Sequence, residues 1–307
     1  KLYTAFLVMA IQSLADGGEC VAIIPRSWMN GEYFKDFRKW MLHECSLDAL
    51  AVYGSRHDHF RDMNILQEIM LLKISKRAQI KGIEVYPDAT PAIPLEKQQH
   101  ETVGLNSMLM GRDCILRVQR QDARLSGFET LIDQGLWVST GKLVWFRNRD
   151  VLSADERQDG HPLYWSDNQD GLMTVHPVQC SREQWVTREA DSHNVVLPAG
   201  SYCLVNRFSS KEQHHRIYAS YLRSDVDFVA DNKLNYVHQG TSRRTVPLND
   251  KVAQGLTVWL SSSIVDEWYR LVSASTQVNA TDLPHLPCPS ILHTGMLADA
   301  RPPATGG

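Results

Sequence analysis

The sequence predicts an α/β domain that forms the second half of a doubly wound sheet, followed by an irregular α+β domain. Three observations carry this. Residues 1–75 alternate helix-period and strand-like apolar segments in the order helix, strand, helix, strand, strand. Residues 78–109 break that rhythm with Pro87, Pro91 and Pro94 and the polar run Glu96-Lys97-Gln98-Gln99-His100. From about Met110 the apolar runs shorten, turn residues multiply and several tryptophans appear. The boundaries read from this are 1–77, a linker at 78–109, a second domain at 110–295 and a disordered tail at 296–307.

Each element has its own signal. In residues 2–14 the apolar positions Leu2, Phe6, Met9, Ala10 and Leu14 recur at helical spacing. Asp16-Gly17-Gly18 ends that helix, because glycine tolerates the left-handed cap. Residues 20–25 are a short continuous apolar run, the pattern of a buried parallel strand. Residues 31–45 read as a second helix, with Phe34, Phe37, Trp40 and Met41 on one side. Residues 47–53 and 66–74 read as strands, and the linker has room for a short strand around 83–86. The chain opens in what reads as mid-helix with no capping residue ahead of Lys1, so the natural protein is expected to extend upstream.

Composition narrows the class. The 307 residues are 43% hydrophobic and 22% charged, an ordinary globular balance whose length suits two domains. No apolar run approaches the roughly 20 residues of a membrane span, and residues 2–14 lack a cleavage-site pattern. The six cysteines are scattered with no CxxC pair, so reduced thiols in a cytoplasmic protein are expected, without disulfides or zinc. A net charge of −3 means that any nucleic-acid binding must come from basic residues gathered on one face.

One residue stands apart. Phe60 ends the connector Gly54-Ser55-Arg56-His57-Asp58-His59-Phe60, between two expected strands. A large aromatic on a polar connector is well placed to stack on a flat ligand at the sheet edge. The alternative is a loop aromatic that caps that edge. Phe6 likewise has two readings, a ligand-facing ring or a core residue of an amphipathic helix.

The opening residues resemble the C-terminal half of the Rossmann-like catalytic domain of gamma-class adenine-N6 DNA methyltransferases, the TaqI-like enzymes of restriction–modification systems. The stretches that carry this are Leu2-Tyr3-Thr4-Ala5-Phe6-Leu7, then Leu14-Ala15-Asp16-Gly17-Gly18 leading to Ala22-Ile23-Ile24-Pro25-Arg26-Ser27-Trp28. Phe37-Arg38-Lys39-Trp40-Met41-Leu42 and Phe60 with Ile65-Leu66-Gln67-Glu68-Ile69-Met70 follow in order. The resemblance implies that Phe6 lies against the adenine ring of S-adenosylmethionine and that Phe60 stacks on a flipped target adenine. Stacking restores part of what a base loses on leaving the duplex, about 1–3 kcal/mol per base. The same family carries a glycine-rich cofactor loop and an Asn/Asp-Pro-Pro-Tyr/Phe tetrapeptide, whose oxygens position the amino nucleophile. Neither is in this sequence, where the sole Pro-Pro pair, Pro302-Pro303, follows Arg301. The main cofactor pocket is therefore expected upstream, and this polypeptide alone is expected not to methylate.

The downstream domain is similar to target recognition domains of these methyltransferases and of type I specificity subunits. The matching residues are Val138-Ser139-Thr140-Gly141-Lys142 with Phe146-Arg147, then Tyr202 through Glu212, then Asn232-Lys233-Leu234-Asn235-Tyr236. Leu256 to Leu260, Ser263, the stretch Gln277 to Leu283 and Leu286-Pro287-Cys288-Pro289 complete the match. The resemblance implies double-stranded DNA as partner. Lys142, Arg147, Arg149, Arg207, Lys211, Arg216, Lys233, Arg243 and Arg244 are the expected DNA-facing cations. Asn206, Asn232 and Asn235 are expected at base edges, since Asn pairs with adenine and Arg with guanine. Singly, each such cation could equally solvate an ordinary surface.

Other chemistries fit less well. Asp231-Asn232-Lys233 has the D-x-K spacing of a metal-dependent nuclease but no upstream Pro-Asp partner. His57, His59, His214 and His215 lack metal-ligand spacing. There is no nucleophile elbow and no phosphate loop. The activity that the resemblance implies is site-specific adenine-N6 methylation by direct in-line methyl transfer. The alternatives are a non-catalytic specificity subunit of a split enzyme, whose partner holds the missing half, and the recognition end of a fused restriction–methylation protein.

Overall fold

The computed structural model of the chain describes residues 1–53, 69–79, 82–118, 123–156, 159–209, 213–273 and 276–291. Phe60, Lys211 and the expected tail at 296–307 lie outside the described residues. The chain divides into two units, Lys1–Arg124 with Leu271–Ala274 and Leu125–Arg270 with Ser275–Gly307. Among the described residues no helix is long and apolar enough to cross a membrane.

The first unit begins with α1 (Leu2–Ser13), which buries Thr4, Leu7 and Ile11. Its opposite side carries Leu2, Phe6 and Met9, and these remain exposed. The helix is therefore apolar on both sides, the pattern of a helix that is covered all round. At its end Gly17 takes a left-handed φ of 77°. The Gly17 amide donates to the Lys76 carbonyl at 2.9 Å, and the Lys76 amide returns a bond of the same length to Gly18. Strand β1 (Glu19–Pro25) follows. The expected helix at 31–45 is shorter than its pattern: a 3-10 turn, Glu32–Phe34, leads into α2 (Lys35–Glu44). Arg38 explains the tight approach. It is fully buried and donates to the carbonyls of Trp28 at 2.8 Å and Gly31 at 2.7 Å, and to that of Asp113.

Strands β2 (Ser46–Tyr53), β3 (Ile69–Ser75), β4 (Ile83–Ala89) and β5 (Glu101–Val103) join β1 in one sheet of order β1-β3-β2-β4-β5. β3 lies antiparallel to both β1 and β2, while β2 and β4 run parallel. Leu50, Met70, Leu72, Ile74 and Val85 meet Leu7, Ile11, Trp28 and Met41 in the core. Each such side chain contributes about 1.5–3 kcal/mol when fully buried.

Two expectations change here. The apolar run at 20–25 was expected as a buried parallel strand. It is an edge strand antiparallel to β3, and Val21 and Ile23 are exposed. Its sequence is apolar on both faces, but only one face is covered among the described residues. The stretch 78–109, expected as a linker with a short strand around 83–86, supplies β4 and also β5 to the sheet, and the unit boundary falls at Arg124. Pro87 sits in β4 where the pairing with β2 shifts register, between Ala51–Tyr86 and Tyr53–Ala89. A bulge is one of the few places a sheet admits proline.

The second unit is built of short strands. β6 (Trp137–Thr140), β7 (His161–Tyr164), β8 (Gly200–Asn206) and β9 (Ala219–Ser224) come first; β10 (Phe228–Ala230), β11 (Leu234–Thr241) and β12 (Arg244–Val246) follow. β9, β8 and β11 are antiparallel neighbours; β6 pairs the first half of β11 and β12 its second half. β7 and β10 pair in parallel in another sheet. Tyr164, Tyr202, Phe228 and Tyr236 form the aromatic core, with ring centroids 5.2 to 6.0 Å apart in edge-on pairs. Helix α3 (Asp250–Leu260) starts at Asn249, whose side chain accepts from the Lys251 amide. Hydrogen bonds from Tyr221 and Ser201 hold the Asp250 carboxyl below the usual carboxylate range and tie α3 to the sheet.

Candidate functional site

Three segments of the second unit are laid side by side by backbone hydrogen bonds. Gly141 donates to the Leu234 carbonyl at 2.8 Å, and Asn232 donates to the Leu143 carbonyl at 2.9 Å. This close approach requires glycine: a Cβ at Gly141 would overlap the Ala230 and Asp231 carbonyls. From the other side the Arg207 amide donates to the Lys233 carbonyl at 2.8 Å, and its guanidinium Nη1 donates to the Asn232 carbonyl at 3.0 Å. Asn206 shapes that loop by accepting from the Phe208 amide at 3.2 Å. Lys142, Asn206, Arg207, Asn232 and Lys233 are thereby gathered at one end of β11.

The chain then continues from Lys142 through two 3-10 turns, Trp145–Arg147 and Arg149–Val151. Asn148 stands between them. Its amide nitrogen donates to the Val144 carbonyl at 2.9 Å, and its Oδ1 accepts from Nδ1 of His193 at 2.8 Å. Arg147 and Arg149 are exposed on this rigid stretch. The Arg147 guanidinium lies 5.7 Å from the centroid of Phe146, and that of Arg149 lies 4.8 Å from Trp145. Arg207 repeats the arrangement over Phe208 at 5.8 Å. The sequence reading gave no site role to Trp145, Phe146 or Phe208. Their signal is aromatics adjacent to arginines in turn-rich sequence, where core packing is poorly served.

Other expected contacts fall elsewhere. Arg216 is 1% exposed; its backbone amide donates to Asp266 at 2.5 Å, its Nε to Ser209 at 3.1 Å, and its guanidinium lies over Tyr269. Asn235 is 0% exposed, accepting from Thr140 at 2.8 Å and donating to the Val278 carbonyl at 2.6 Å. Both are corrected from DNA-contact residues to interior ties, because their polar groups are consumed inside the unit. Arg243 and Arg244 are exposed at the hairpin between β11 and β12, where both amides donate to Thr241. That tip is at the far end of β11 from Lys233, about 25 Å away at the usual strand rise. Asp231, the acid of the D-x-K spacing, is fully buried; desolvation pushes its carboxyl up, and its Oδ1 has no hydrogen-bond partner among the described residues. Among the described residues no group of three His, Cys, Asp or Glu side chains is placed to hold a metal.

In the first unit Phe6 is 62% exposed and lines an open cavity of about 440 Å³ with Lys1, Leu2, Tyr3, Pro25 and Ser27. Tyr3 and Ser27 share a hydrogen bond at 3.3 Å, and burial raises the Tyr3 hydroxyl to about 12. Among the described residues the lining offers apolar side chains, the Tyr3 and Ser27 hydroxyls and the cationic Lys1, and no carboxylate. Phe60, the expected base-stacking ring, lies outside the described residues.

Comparison with known proteins bears on this arrangement. The family described as Eco57I restriction-modification methylase matches residues 1–60. The type II methyltransferase M.PstI of Providencia stuartii is 38% identical over 305 residues, covering 94% of this chain and 59% of that protein. M.BsuBI of Bacillus subtilis, also a type II methyltransferase, is 30% identical over 314 residues with the same coverage. Among solved structures, the type IIL restriction-modification enzyme MmeI in complex with DNA matches 95% of this chain and 41% of its own, at 11% identity and a TM-score of 0.45. Over 94% of its length the chain is thus a sequence relative of type II restriction–modification methyltransferases, and it spans 59% of theirs.

Proposed function

We propose that this chain is the C-terminal portion of a site-specific adenine-N6 DNA methyltransferase. The first unit belongs to its catalytic domain and the second is its target recognition domain. The observation that carries this reading is the similarity to M.PstI and M.BsuBI across nearly the whole chain. The gathering of Lys142, Arg207 and Lys233 at one end of β11, with Arg147 and Arg149 exposed on the stretch that follows Lys142, supports it, because an acidic chain of net charge −3 must concentrate its cations to hold a duplex.

In this reading S-adenosylmethionine supplies an electrophilic methyl group. The Phe6 ring supports the flat purine of that cofactor, and the cavity beside it suits a heterocycle on its apolar side. Its described lining residues include no carboxylate for the cofactor's sugar and amino groups. Phe60 holds the flipped adenine by stacking, and the second unit fixes register on the backbone through phosphate contacts. The glycine-rich loop and the Pro-Pro tetrapeptide are missing from the sequence, so the isolated chain binds duplex without methylating it.

Methyl transfer tests this directly. Purified protein is incubated with duplex DNA and radiolabelled S-adenosylmethionine, either as the 307-residue chain or as the product of the gene extended upstream. Label is expected at adenine N6 with the extended protein and absent with the chain alone. Label at cytosine, or efficient methylation by the chain alone, would overturn the reading.

A further inference from the structure

Trp145 and Phe146 are the least economical residues of the second unit. They are consecutive, 40% and 56% exposed, and set edge to face with ring centroids 5.8 Å apart. Exposed rings this large are normally either tucked away or used. These two are held on a turn that Asn148 closes through Val144 and that His193 braces from outside. Each carries an arginine over its face, which places a cation within reach of a phosphate whenever the ring meets a base. Lys142, three residues before Trp145, adds charge to the same stretch.

We propose that Trp145 and Phe146 form an aromatic wedge that stacks on nucleobases of the duplex where pairing has opened. The inference rests on the reading of this face as DNA-binding, and adds to it a non-electrostatic role for residues that carry no charge. Opening a base pair leaves stacked neighbours without a partner. An apolar ring inserted at that step recovers part of the loss, while the arginines beside it neutralise the flanking phosphates. The partner class is therefore DNA with a weakened or opened step, not perfectly paired DNA alone. A protein surface on the same rings is the competing occupant.

The experiment uses the full 307-residue chain and two duplexes of about 30 base pairs, identical except for one central mismatch. Affinity is measured across a salt series for wild type, Trp145→Ala/Phe146→Ala, Trp145→Phe/Phe146→Tyr, and Arg147→Gln/Arg149→Gln. Wild type is expected to prefer the mismatched duplex by about tenfold, the scale of one base–aromatic stack. The double alanine variant should lose that preference while keeping the salt slope, and the aromatic replacement should restore it. The glutamine variant should lower the salt slope by about 2, one per lost phosphate contact.

If the alanine variant keeps the preference while the glutamine variant weakens binding, the wedge is wrong and the DNA face stands. If neither variant alters binding, the face itself is misread and the wedge falls with it. Both rings are exposed, so unchanged thermal unfolding of the alanine variant is the expected control.

Discussion

The Asn232 amide donates to the Leu143 carbonyl at 2.9 Å, and this bond ties the loop that bears Lys142 to the strand end that bears Lys233. Two segments almost ninety positions apart in sequence thus share one edge. Gly141 permits the approach, since any side chain there meets the carbonyls of Ala230 and Asp231.

Gly141→Ala is accordingly expected to lower stability by about 1–3 kcal/mol, the usual cost of forcing an extra methyl into a packed contact. Thermal unfolding measures that part. DNA affinity should fall further than in a variant equally destabilised within β1 of the first unit. Equal affinities in the two variants would show that the loop's position does not matter to binding.

His238 gives the fold an acid limit. It is fully buried, and burial lowers its affinity for a proton below the ordinary imidazole value of 6.5. Nδ1 donates to the Gln239 carbonyl at 2.6 Å, so Nε2 is the acceptor for the Ser139 hydroxyl at 2.9 Å. The unfolded chain takes up its proton near 6.5 while the folded ring resists until lower pH. Between those values the unfolded state binds more protons, and stability is lost as pH falls. Burial lowers His176 in the same direction. Unfolding temperatures between about pH 7.5 and 5.5 should therefore drop in wild type and drop less in His238→Gln. Identical slopes would remove His238 from the account.

Asp231 acts with the opposite sign. Desolvation raises its carboxyl, so the folded state holds the proton more tightly than the unfolded one, and ionisation at neutral pH costs stability. Asp231→Asn keeps an acceptor for the Lys233 amide, now 3.0 Å from Oδ2, and removes the buried charge. The variant should unfold at a higher temperature near neutral pH, with the gap closing on acidification. A variant less stable than wild type at neutral pH would mean that the charge is better compensated than its surroundings indicate.

The aromatic roles divide by readout. In the upstream-extended enzyme, Phe60→Ala is expected to reduce methylation by about 5- to 150-fold, the value of one lost stack, with much less change in DNA affinity. Phe6→Ala should raise the KM for S-adenosylmethionine and leave DNA affinity unchanged. Parallel losses of activity and DNA binding for Phe60 would point to a packing role instead.

What could be read from the sequence follows from how local each cause is. Helix α1, the Gly17 turn and strands β2 and β3 came from periodicity and glycine, which act within a few residues. The strand β4 was expected only as a short piece at 83–86, because Pro87 normally argues against a strand and is admitted here at a register shift. The edge position of β1 depends on which strands pair, a long-range fact that its apolar run does not encode. Among the expected DNA contacts, Lys142, Arg207, Asn232 and Lys233 converge because distant backbone segments hydrogen-bond. Arg216 and Asn235 show the limit, since identical side chains turn inward when neighbours such as Ser209 or Thr140 offer partners. Trp145 and Phe146 received no site role because nothing in the sequence shows that both rings stay exposed.

The outward side of α1 and β1 sets how this polypeptide behaves in the tube. Leu2, Phe6 and Met9 on α1, and Val21 and Ile23 on the uncovered face of β1, leave apolar surface that water wets poorly. Sedimentation should show apparent mass climbing with concentration, and Ile23→Lys should flatten the climb; a wild-type mass independent of concentration would contradict this. Titrations meant to report on nucleic acid consequently belong at dilutions where molecules of the chain no longer find each other.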